Sequence, residues 1–201
     1  MPEAKVHVID DDDDARESLA FLLSTADVPS QTYASAREFL AVAGEVGGVV
    51  VTDVRMPEMD GLELVRRLSA LGVNLPVIVM TGHGDVPLAV EAMKAGVRDF
   101  IEKPFDDETM LSSIRAALEA VGETHAKEAE RLELLRRIEA LSPRERQVLE
   151  GLVAGKANKV IAYDLDISPR TVEIYRAHVM TKTQAKSLSE LVRMAMRVGL
   201  S

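Results

Sequence analysis

Strand-like and helix-like apolar patterns alternate over the first 120 residues. Short apolar runs, such as 49–52 and 77–80, predict buried strands. Segments with apolar residues at helical spacing lie between them, for example Leu19, Leu22 and Leu23. The pattern predicts strands at 6–9, 30–34, 49–52, 77–80 and 99–101, and helices at 15–26, from 35 onward, and at 60–71, 85–95 and 106–120. Such alternation implies an α/β domain whose five-stranded parallel sheet is covered by helices on both faces.

The remaining residues show only helical patterns. A charged helix is predicted over 123–141, with Leu132, Leu135 and Ile138 along one stripe. Ser142-Pro143-Arg144-Glu145 is a capping box with proline at the first helical position. It opens a series of four helices, predicted up to 154, over 158–165, from 168 to about 182, and from a further capping box at 187–190. We therefore predict a domain over 1–120, a helical linker over 121–140 and an all-α, four-helix domain over 141–201.

Charge is divided unevenly between the two halves. The net charge of −9 is unusual for a DNA-binding protein. However, residues 1–120 carry 22 acidic and 10 basic side chains, whereas residues 121–201 carry 11 acidic and 14 basic ones. An acidic half with a net charge of −12 therefore precedes a mildly basic half with a net charge of +3, which indicates two separate functions.

Composition excludes several classes of protein. The chain has no cysteine, which rules out disulfides and thiolate metal sites. Its N-terminus has no apolar signal region, and no apolar run approaches the roughly 18 residues that a membrane helix needs. We therefore predict a soluble, cytoplasmic protein that has no membrane partner.

Five polar side chains directly follow predicted strands, namely Asp10, Asp11, Asp53, Thr81 and Lys103. In an open parallel sheet, ligands bind beyond the carboxyl ends of the strands, so these side chains are expected to share one crevice. Neighbouring carboxylates repel one another and call for a cation, and an all-oxygen ligand set favours Mg²⁺. A carboxylate nucleophile beside Mg²⁺, a lysine and a hydroxyl suits phosphoryl transfer through an acyl phosphate.

A single aspartate after a strand is more often a helix cap or a turn residue than a reactive group. The run 10–14 could by itself be a solvated loop, and Asp12, Asp13 and Asp14 are better explained as acidic residues at a helix start. Coincidence at all five positions is a poor explanation, so we favour the functional interpretation.

The first half resembles the receiver domains of two-component systems, which have a doubly wound, flavodoxin-like fold. The resemblance covers residues 5–120 and rests on Ile9-Asp10-Asp11, 52–61 (TDVRMPEMDG), Met80-Thr81-Gly82 and Glu102-Lys103-Pro104-Phe105. It implies that Asp53 accepts phosphate from a sensor histidine kinase. It further implies that Asp10, Asp11, Asp53 and the Arg55 backbone carbonyl hold Mg²⁺.

The same resemblance assigns roles to residues around the phosphoacceptor. Lys103 would contact the phosphoryl group, and its bond to Pro104 would be cis. Thr81 would follow the phosphate and Phe100 would occupy the coupled aromatic switch position. The surface formed by 85–95 and 99–101 would then change and permit a homodimer to form.

The spacing in the basic half predicts a helix-turn-helix. A helix over 158–165, a turn over 166–168 and a proline-started helix fit this motif. On the second helix Val172, Tyr175 and Val179 would face the core, and Ile174 would face outward, where it could contact a thymine methyl. The candidate DNA contacts are Lys156, Asn158, Lys159, Arg170, Thr171, Glu173, Ile174, Arg176, Ala177 and Lys182. The alternative is a small helical bundle with a solvated basic face.

Three segments of this half resemble the LuxR-type DNA-binding domain. They are 141–149 (LSPRERQVL), 157–165 (ANKVIAYDL) and 167–173 (ISPRTVE), and Tyr175 departs from the histidine that many relatives have. The full architecture is similar to the FixJ group of regulators, which are paired with oxygen-sensing kinases in nitrogen-fixing bacteria. The resemblance implies promoter DNA and RNA polymerase as partners, and a regulator rather than an enzyme.

Three functions remain open from the residues. The first is a phosphorylation-controlled transcription factor. The second is a Mg²⁺-dependent phosphatase with Asp53 as nucleophile, although Arg55 stands two residues later, where a general acid is expected. The third is a DNA-binding adaptor that ignores phosphate. For the first, the receiver could either mask the recognition helix or dimerise the protein.

Overall fold

The protein forms two compact units in a computed structural model that describes residues 4–82 and 86–200. The first unit comprises Met1–Glu123 and the second comprises Thr124–Ser201. Among the described residues, no helix combines the length and the apolar character needed to cross a membrane.

The first unit is built on a parallel sheet with strand order β2-β1-β3-β4-β5. Its strands are β1 (Lys5–Ile9), β2 (Ser30–Tyr33), β3 (Gly48–Asp53), β4 (Val77–Thr81) and β5 (Asp99–Glu102). Ile9 pairs with Thr52 and Asp53 pairs with Met80, so the carboxyl ends of β1, β3 and β4 lie at the same edge of the sheet. The predicted five-stranded parallel sheet is confirmed.

Helices cover both faces of this sheet, as the apolar strands require. They are α1 (Asp13–Thr25), α2 (Ala36–Leu40), α3 (Gly61–Ala70), α4 (Val86–Ala95) and α5 (Asp107–Glu139). One core contains Phe39 and Leu64 from α2 and α3, and the other contains Leu23 and Ile114 from α1 and α5. The doubly wound arrangement is therefore confirmed.

Side-chain caps determine where two of the helices begin. Asp12 accepts a hydrogen bond from the Ala15 amide and starts α1, while Asp60 accepts one from the Glu63 amide and starts α3. The start of α4 predicted at Asp85 lies outside the described residues.

Helix α5 differs from the sequence prediction of two separate helices. It runs without interruption from Asp107 to Glu139, through Gly122. A single glycine costs a helix about 1 kcal/mol and does not stop it unless a capping motif follows. Intrahelical ion pairs, such as that between Glu133 and Arg137, support the charged second part.

The second unit contains four helices after α5, in agreement with the prediction. They are α6 (Pro143–Val153), α7 (Asn158–Asp164), α8 (Pro169–Thr183) and α9 (Leu188–Arg197). The predicted capping box at Ser142 and Glu145 is present. Their common core includes Val148, Leu149 and Ile161.

The predicted apolar stripe on the charged segment was partly wrong. Leu134 and Ile138 are the buried positions, whereas Leu132 is 46% exposed. Positions four residues apart lie on the same helix face, so Leu134 and Ile138 form the buried face of this part of the helix. Ile138 belongs to the common core that it forms with α6 to α9, and this packing covers its face of the helix.

Candidate functional site

The strand order brings the predicted crevice residues to one edge of the sheet. Strand β1 lies between β2 and β3, so the chain reverses direction across the sheet at β1 and β3, which is where ligands bind in folds of this type. Asp10 follows β1, Asp53 ends β3 and Thr81 ends β4. Lys103 follows β5, and its amide donates to the Thr81 carbonyl at 2.7 Å.

Lys103 joins two of the carboxylates. Its Nζ lies 2.7 Å from Asp53 Oδ1 and 3.0 Å from Asp10 Oδ2. The side chains are 28%, 13% and 3% exposed for Lys103, Asp53 and Asp10, so the ion pairs are largely shielded from water. Burial alone would lower the pKa of Lys103, but hydrogen bonds to Asp53 and Asp10 raise it above its ordinary value. The ammonium group therefore stays charged and offsets both carboxylates.

Asp10 is held on its other side by the start of α1. Its Oδ1 accepts a hydrogen bond from the Asp12 amide at 3.0 Å. Arg16 Nη1 donates to the Asp10 backbone carbonyl at 2.7 Å. Sequence reasoning missed Arg16, and its only signal was a basic residue within a run of acidic ones.

The loop after Asp53 is fixed by main-chain contacts. The Arg55 amide donates to Asp53 Oδ2 at 2.7 Å, and the Val54 amide donates to the Met80 carbonyl at 2.9 Å. Gly61 closes the loop, because its amide donates to the Val54 carbonyl at 2.9 Å. A Cβ at position 61 would lie 2.4 Å from the Asp53 carbonyl oxygen. Only glycine lets α3 begin this close to Asp53.

The other residues predicted for this crevice differ in how far their side chains are exposed to solvent. Thr81 is 1% exposed, Phe100 is half-buried and packs on the core beside α4, and Asp11 is exposed. The Lys103–Pro104 peptide bond is cis, as the resemblance implied.

The donor set of the crevice fits a hard divalent cation. Asp10 and Asp53 present carboxylate oxygens to the same point, where Lys103 Nζ now lies between them. Oxygen ligands of this kind suit Mg²⁺, which also retains several water molecules in protein sites. Within residues 4–82 and 86–200 no group of three or more His, Cys, Asp or Glu side chains forms a metal cluster.

His7 is a buried titratable residue on the same sheet but outside the crevice. Its Nδ1 lies 3.2 Å from the Tyr33 hydroxyl, and its Nε2 lies 3.2 Å from the Gly47 carbonyl. Both contacts are satisfied by a neutral ring that donates from Nε2 and accepts at Nδ1. The ring also packs against Phe39. Burial lowers the pKa of His7 below its ordinary value.

We expect this histidine to make the first unit less stable in mild acid. The unfolded chain takes up the proton near the ordinary pKa of 6.5, and the folded chain takes it up only at lower pH. Stability therefore falls below about pH 6.5, by at most about 1.4 kcal/mol per pH unit, until the folded pKa is reached. Hydrogen exchange of β1 peptides, compared between wild type and His7→Gln at about pH 7.5 and about pH 5.5, measures this difference. A stability gap between the two proteins that does not change with pH would refute the prediction.

In the second unit, α7 and α8 form the predicted helix-turn-helix. Val172 and Val179 are fully buried, and Tyr175 is half-buried against the same core, as predicted. Ile174 is 50% exposed. Arg170, Glu173 and Ala177 are likewise exposed, and Arg176 lies half-buried beside them. The helix therefore presents a continuous polar face with one isoleucine on it.

Two of the candidate DNA contacts are engaged within the protein. Lys156 Nζ lies 2.7 Å from Asp164 Oδ2, and Lys182 Nζ lies 2.6 Å from Glu145 Oε2. Glu145 is 4% exposed, and Lys182 thus neutralises a buried carboxylate. Of the others, Lys159 is exposed and Asn158 and Thr171 are half-buried.

These two units define a class of protein, namely a regulator in which an α/β receiver precedes a helix-turn-helix domain. Residues 6–115 match the response regulator receiver domain, and residues 139–195 match the luxR family of bacterial regulatory proteins. The chain is 58% identical to the transcriptional regulatory protein FixJ of Azorhizobium caulinodans, with 100% of this chain and 96% of that protein covered. It belongs to the two-component response regulators of the FixJ type, which combine a receiver with a LuxR-type DNA-binding domain.

Two solved structures match the chain over nearly its full length. The response regulator StyR matches with a TM-score of 0.84 at 36% identity, with 97% of this chain and 99% of that chain covered. Full-length FixJ from B. japonicum matches with a TM-score of 0.61 at 50% identity, with 100% of both chains covered.

Proposed function

We propose that Asp53 is the phosphoacceptor of this response regulator and that its phosphorylation controls DNA binding. The observation that carries the proposal is the position of Lys103 Nζ, 2.7 Å from Asp53 and 3.0 Å from Asp10. If the Asp53 carboxylate is the nucleophile, it has a cation beside it at the edge of the sheet where ligands bind in this fold. In this proposal Asp10, Asp11, Asp53 and the Arg55 carbonyl would supply the oxygen ligands for Mg²⁺ at the same edge.

The residues of the crevice divide the chemistry between them. An Asp53 carboxylate oxygen attacks the phosphorus, the bond from phosphorus to the donor nitrogen breaks, and an acyl phosphate forms. Lys103 then donates to a phosphoryl oxygen in place of Asp53 Oδ1. Bound Mg²⁺ would neutralise charge on the transferring phosphoryl group. Arg55 stands two residues after Asp53, where a phosphatase would carry a general acid, and this favours a switch over an enzyme.

The phosphodonor is proposed to be a sensor histidine kinase. An apolar cleft of about 260 Å³ adjoins the crevice and is lined by residues that include Leu19, Leu22 and Phe105. Phe21, on the same helix, is 72% exposed. A protein donor can bury such apolar surface, whereas a small phosphodonor cannot.

The structural change that follows phosphorylation is proposed to pass through Thr81 and Phe100 to the surface of α4 and β5. Val90 and Met93 on α4 are 46% and 56% exposed, which provides apolar area for a homodimer. Dimerisation would raise the affinity for an operator with two half-sites. Masking of the recognition helix by the receiver is the alternative route.

The DNA-binding helix is proposed to be α8, inserted in the major groove of promoter DNA, with RNA polymerase as the next partner. Its exposed face carries Arg170, Glu173, Ile174 and Ala177. The names of the FixJ relatives support a role in nitrogen fixation. Oxygen as the signal to the kinase is proposed from the resemblance to the FixJ group alone.

Mass spectrometry of the intact protein tests the phosphoacceptor. Incubation with a small phosphodonor and Mg²⁺ should add about 80 Da, the mass of one phosphoryl group, to wild type and nothing to Asp53→Asn. Asp60→Asn is the matched control, because Asp60 lies in the same loop as a helix cap and should leave labelling intact. Labelling that survives Asp53→Asn would reject the proposal.

Two measurements distinguish the alternatives. A phosphatase would hydrolyse metabolite phosphates over many turnovers, whereas a switch is labelled once per chain. An adaptor that ignores phosphate would bind its operator with equal affinity with and without phosphodonor. Operator affinity measured in both states across a salt series separates it from the proposed regulator.

Two substitutions on α8 should have different effects on DNA binding. Arg170→Ala should weaken binding to all sequences and reduce the salt slope by about 1, because a phosphate contact is lost. Ile174→Ala should instead change sequence preference, by about 1–3 kcal/mol at one base pair. Binding curves against a panel of single-base operator variants measure both. Equal loss across the panel for Ile174→Ala would show that this side chain does not contact a base.

A further inference from the structure

Arg16 is a partly buried basic side chain at the edge of the acidic crevice. It lies in the first turn of α1, its side chain is only 15% exposed, and it pairs with Asp13. Its second contact is the hydrogen bond from Nη1 to the Asp10 backbone carbonyl at 2.7 Å. Holding a long side chain in one place costs entropy, which these contacts must offset.

The contact to a main-chain oxygen has a chemical consequence. Asp10 is held at three points, by Arg16 at its carbonyl, by the Asp12 amide at Oδ1 and by Lys103 at Oδ2. Arg16 uses none of the carboxylate oxygens, so it does not compete for them with a metal ion. The hydrogen bond from Arg16 does not depend on Lys103, so it can hold the turn between β1 and α1 if Lys103 leaves Asp10.

We propose that Arg16 is a positioning residue that orients the Asp10 carboxylate toward the metal ion. This inference rests on the proposed Mg²⁺ site. Groups that orient metal ligands in this way contribute about 10- to 100-fold to metal affinity. The competing explanation is that Arg16 only offsets the negative charge of the aspartates at 10–14 and 53.

The two explanations predict opposite changes in metal affinity when Arg16 is replaced. Removal of a positive charge makes the crevice more negative, which by itself tightens the binding of a cation. Removal of an orienting hydrogen bond leaves Asp10 free to turn away, which weakens the binding of the cation. Arg16→Met removes both the charge and the bond, and Arg16→Lys keeps the charge but loses the forked geometry.

The test is metal affinity of the full chain, measured by electron paramagnetic resonance of Mn²⁺ with Mg²⁺ as competitor. We expect Arg16→Met to weaken Mg²⁺ binding about 10-fold, and Arg16→Lys to weaken it by a smaller factor. Arg67→Met is the matched control, because Arg67 pairs with Glu63 on its own helix, and the variant should bind metal as wild type does.

Each outcome decides the proposal. Binding by Arg16→Met that equals or exceeds that of wild type overturns it in favour of a charge effect. If circular dichroism shows that Arg16→Met does not fold, Arg16→Lys decides, and wild-type affinity in that variant overturns the positioning role. Wild type that binds no Mg²⁺ overturns the metal site itself and the positioning role with it. If wild type binds Mg²⁺ and the Arg16 variants bind it with the same affinity, only the positioning role is overturned.

Discussion

Replacing Gly61 with alanine should destabilise the receiver domain by about 2 kcal/mol and slow phosphorylation of Asp53. The new Cβ would lie 2.4 Å from the Asp53 carbonyl oxygen and 3.2 Å from Thr52 Cγ2. Alanine is the better helix former by about 1 kcal/mol, which opposes the effect. Overpacking against a buried backbone typically costs about 1–3 kcal/mol, and here the neighbour is main chain that cannot rotate away. The steric term therefore outweighs the propensity term.

The measurement is urea unfolding together with the rate of labelling by a small phosphodonor. Gly44→Ala is the matched control, because a Cβ there meets nothing within 4 Å. It should change stability by less than about 1 kcal/mol and leave labelling unaffected. A Gly61→Ala protein with the midpoint and labelling rate of wild type would contradict the geometry of this loop.

Replacing Glu145 with glutamine should destabilise the DNA-binding domain by about 2 kcal/mol near neutral pH, the loss typical of a hydrogen bond to a charged group. The Glu145 carboxylate accepts from Lys182 Nζ at 2.6 Å and from the Ser142 amide at 2.7 Å. It also lies 3.5 Å from His178 Nδ1. It thereby ties the start of α6 to the end of α8, the helix proposed to contact DNA.

The pH dependence of this loss has a definite sign. The hydrogen bond from Lys182, followed by that from Ser142, lowers the pKa of Glu145 from 4.5 to about 2. A carboxyl with a lowered pKa stabilises the fold above its ordinary pKa, and that contribution is lost as the pH falls through the folded value. The difference between wild type and Glu145→Gln should thus be full at pH 7 and should shrink between about pH 4.5 and about pH 2.

Thermal unfolding at a series of pH values tests this expectation. Glu150→Gln on the exposed side of α6 is the control and should lie within about 0.5 kcal/mol of wild type. Operator binding by Glu145→Gln should also weaken, since α8 loses an anchor. Equal stability of wild type and Glu145→Gln at pH 7 would show that Lys182 does not stabilise the fold through this pair.

Much of the architecture could be predicted because it depends on local periodicity. The strands at 49–52 and 77–80 are recognisable from uninterrupted apolar residues, and α6 from its capping box at Ser142 and Glu145. The prediction failed for α5, which was expected as two helices over 106–120 and 123–141, because the helix-forming residues around Gly122 carry one helix through it. It also failed for Leu132, because periodicity shows that a helix has an apolar face but not which neighbour covers it.

Asp53, the proposed acceptor, and its four companions were predicted from sequence alone to share one crevice, because each follows a predicted strand and parallel strands end at one edge. The tertiary structure alone decided that Lys103 contacts carboxylates 93 and 50 residues earlier, and that Arg16 holds the Asp10 carbonyl. It likewise decided that Lys182 neutralises Glu145, 37 residues away, although its charge had suggested a DNA contact. Residue type and spacing determine what chemistry a chain can perform, whereas pairings between distant residues depend on how the packed elements bring their side chains together.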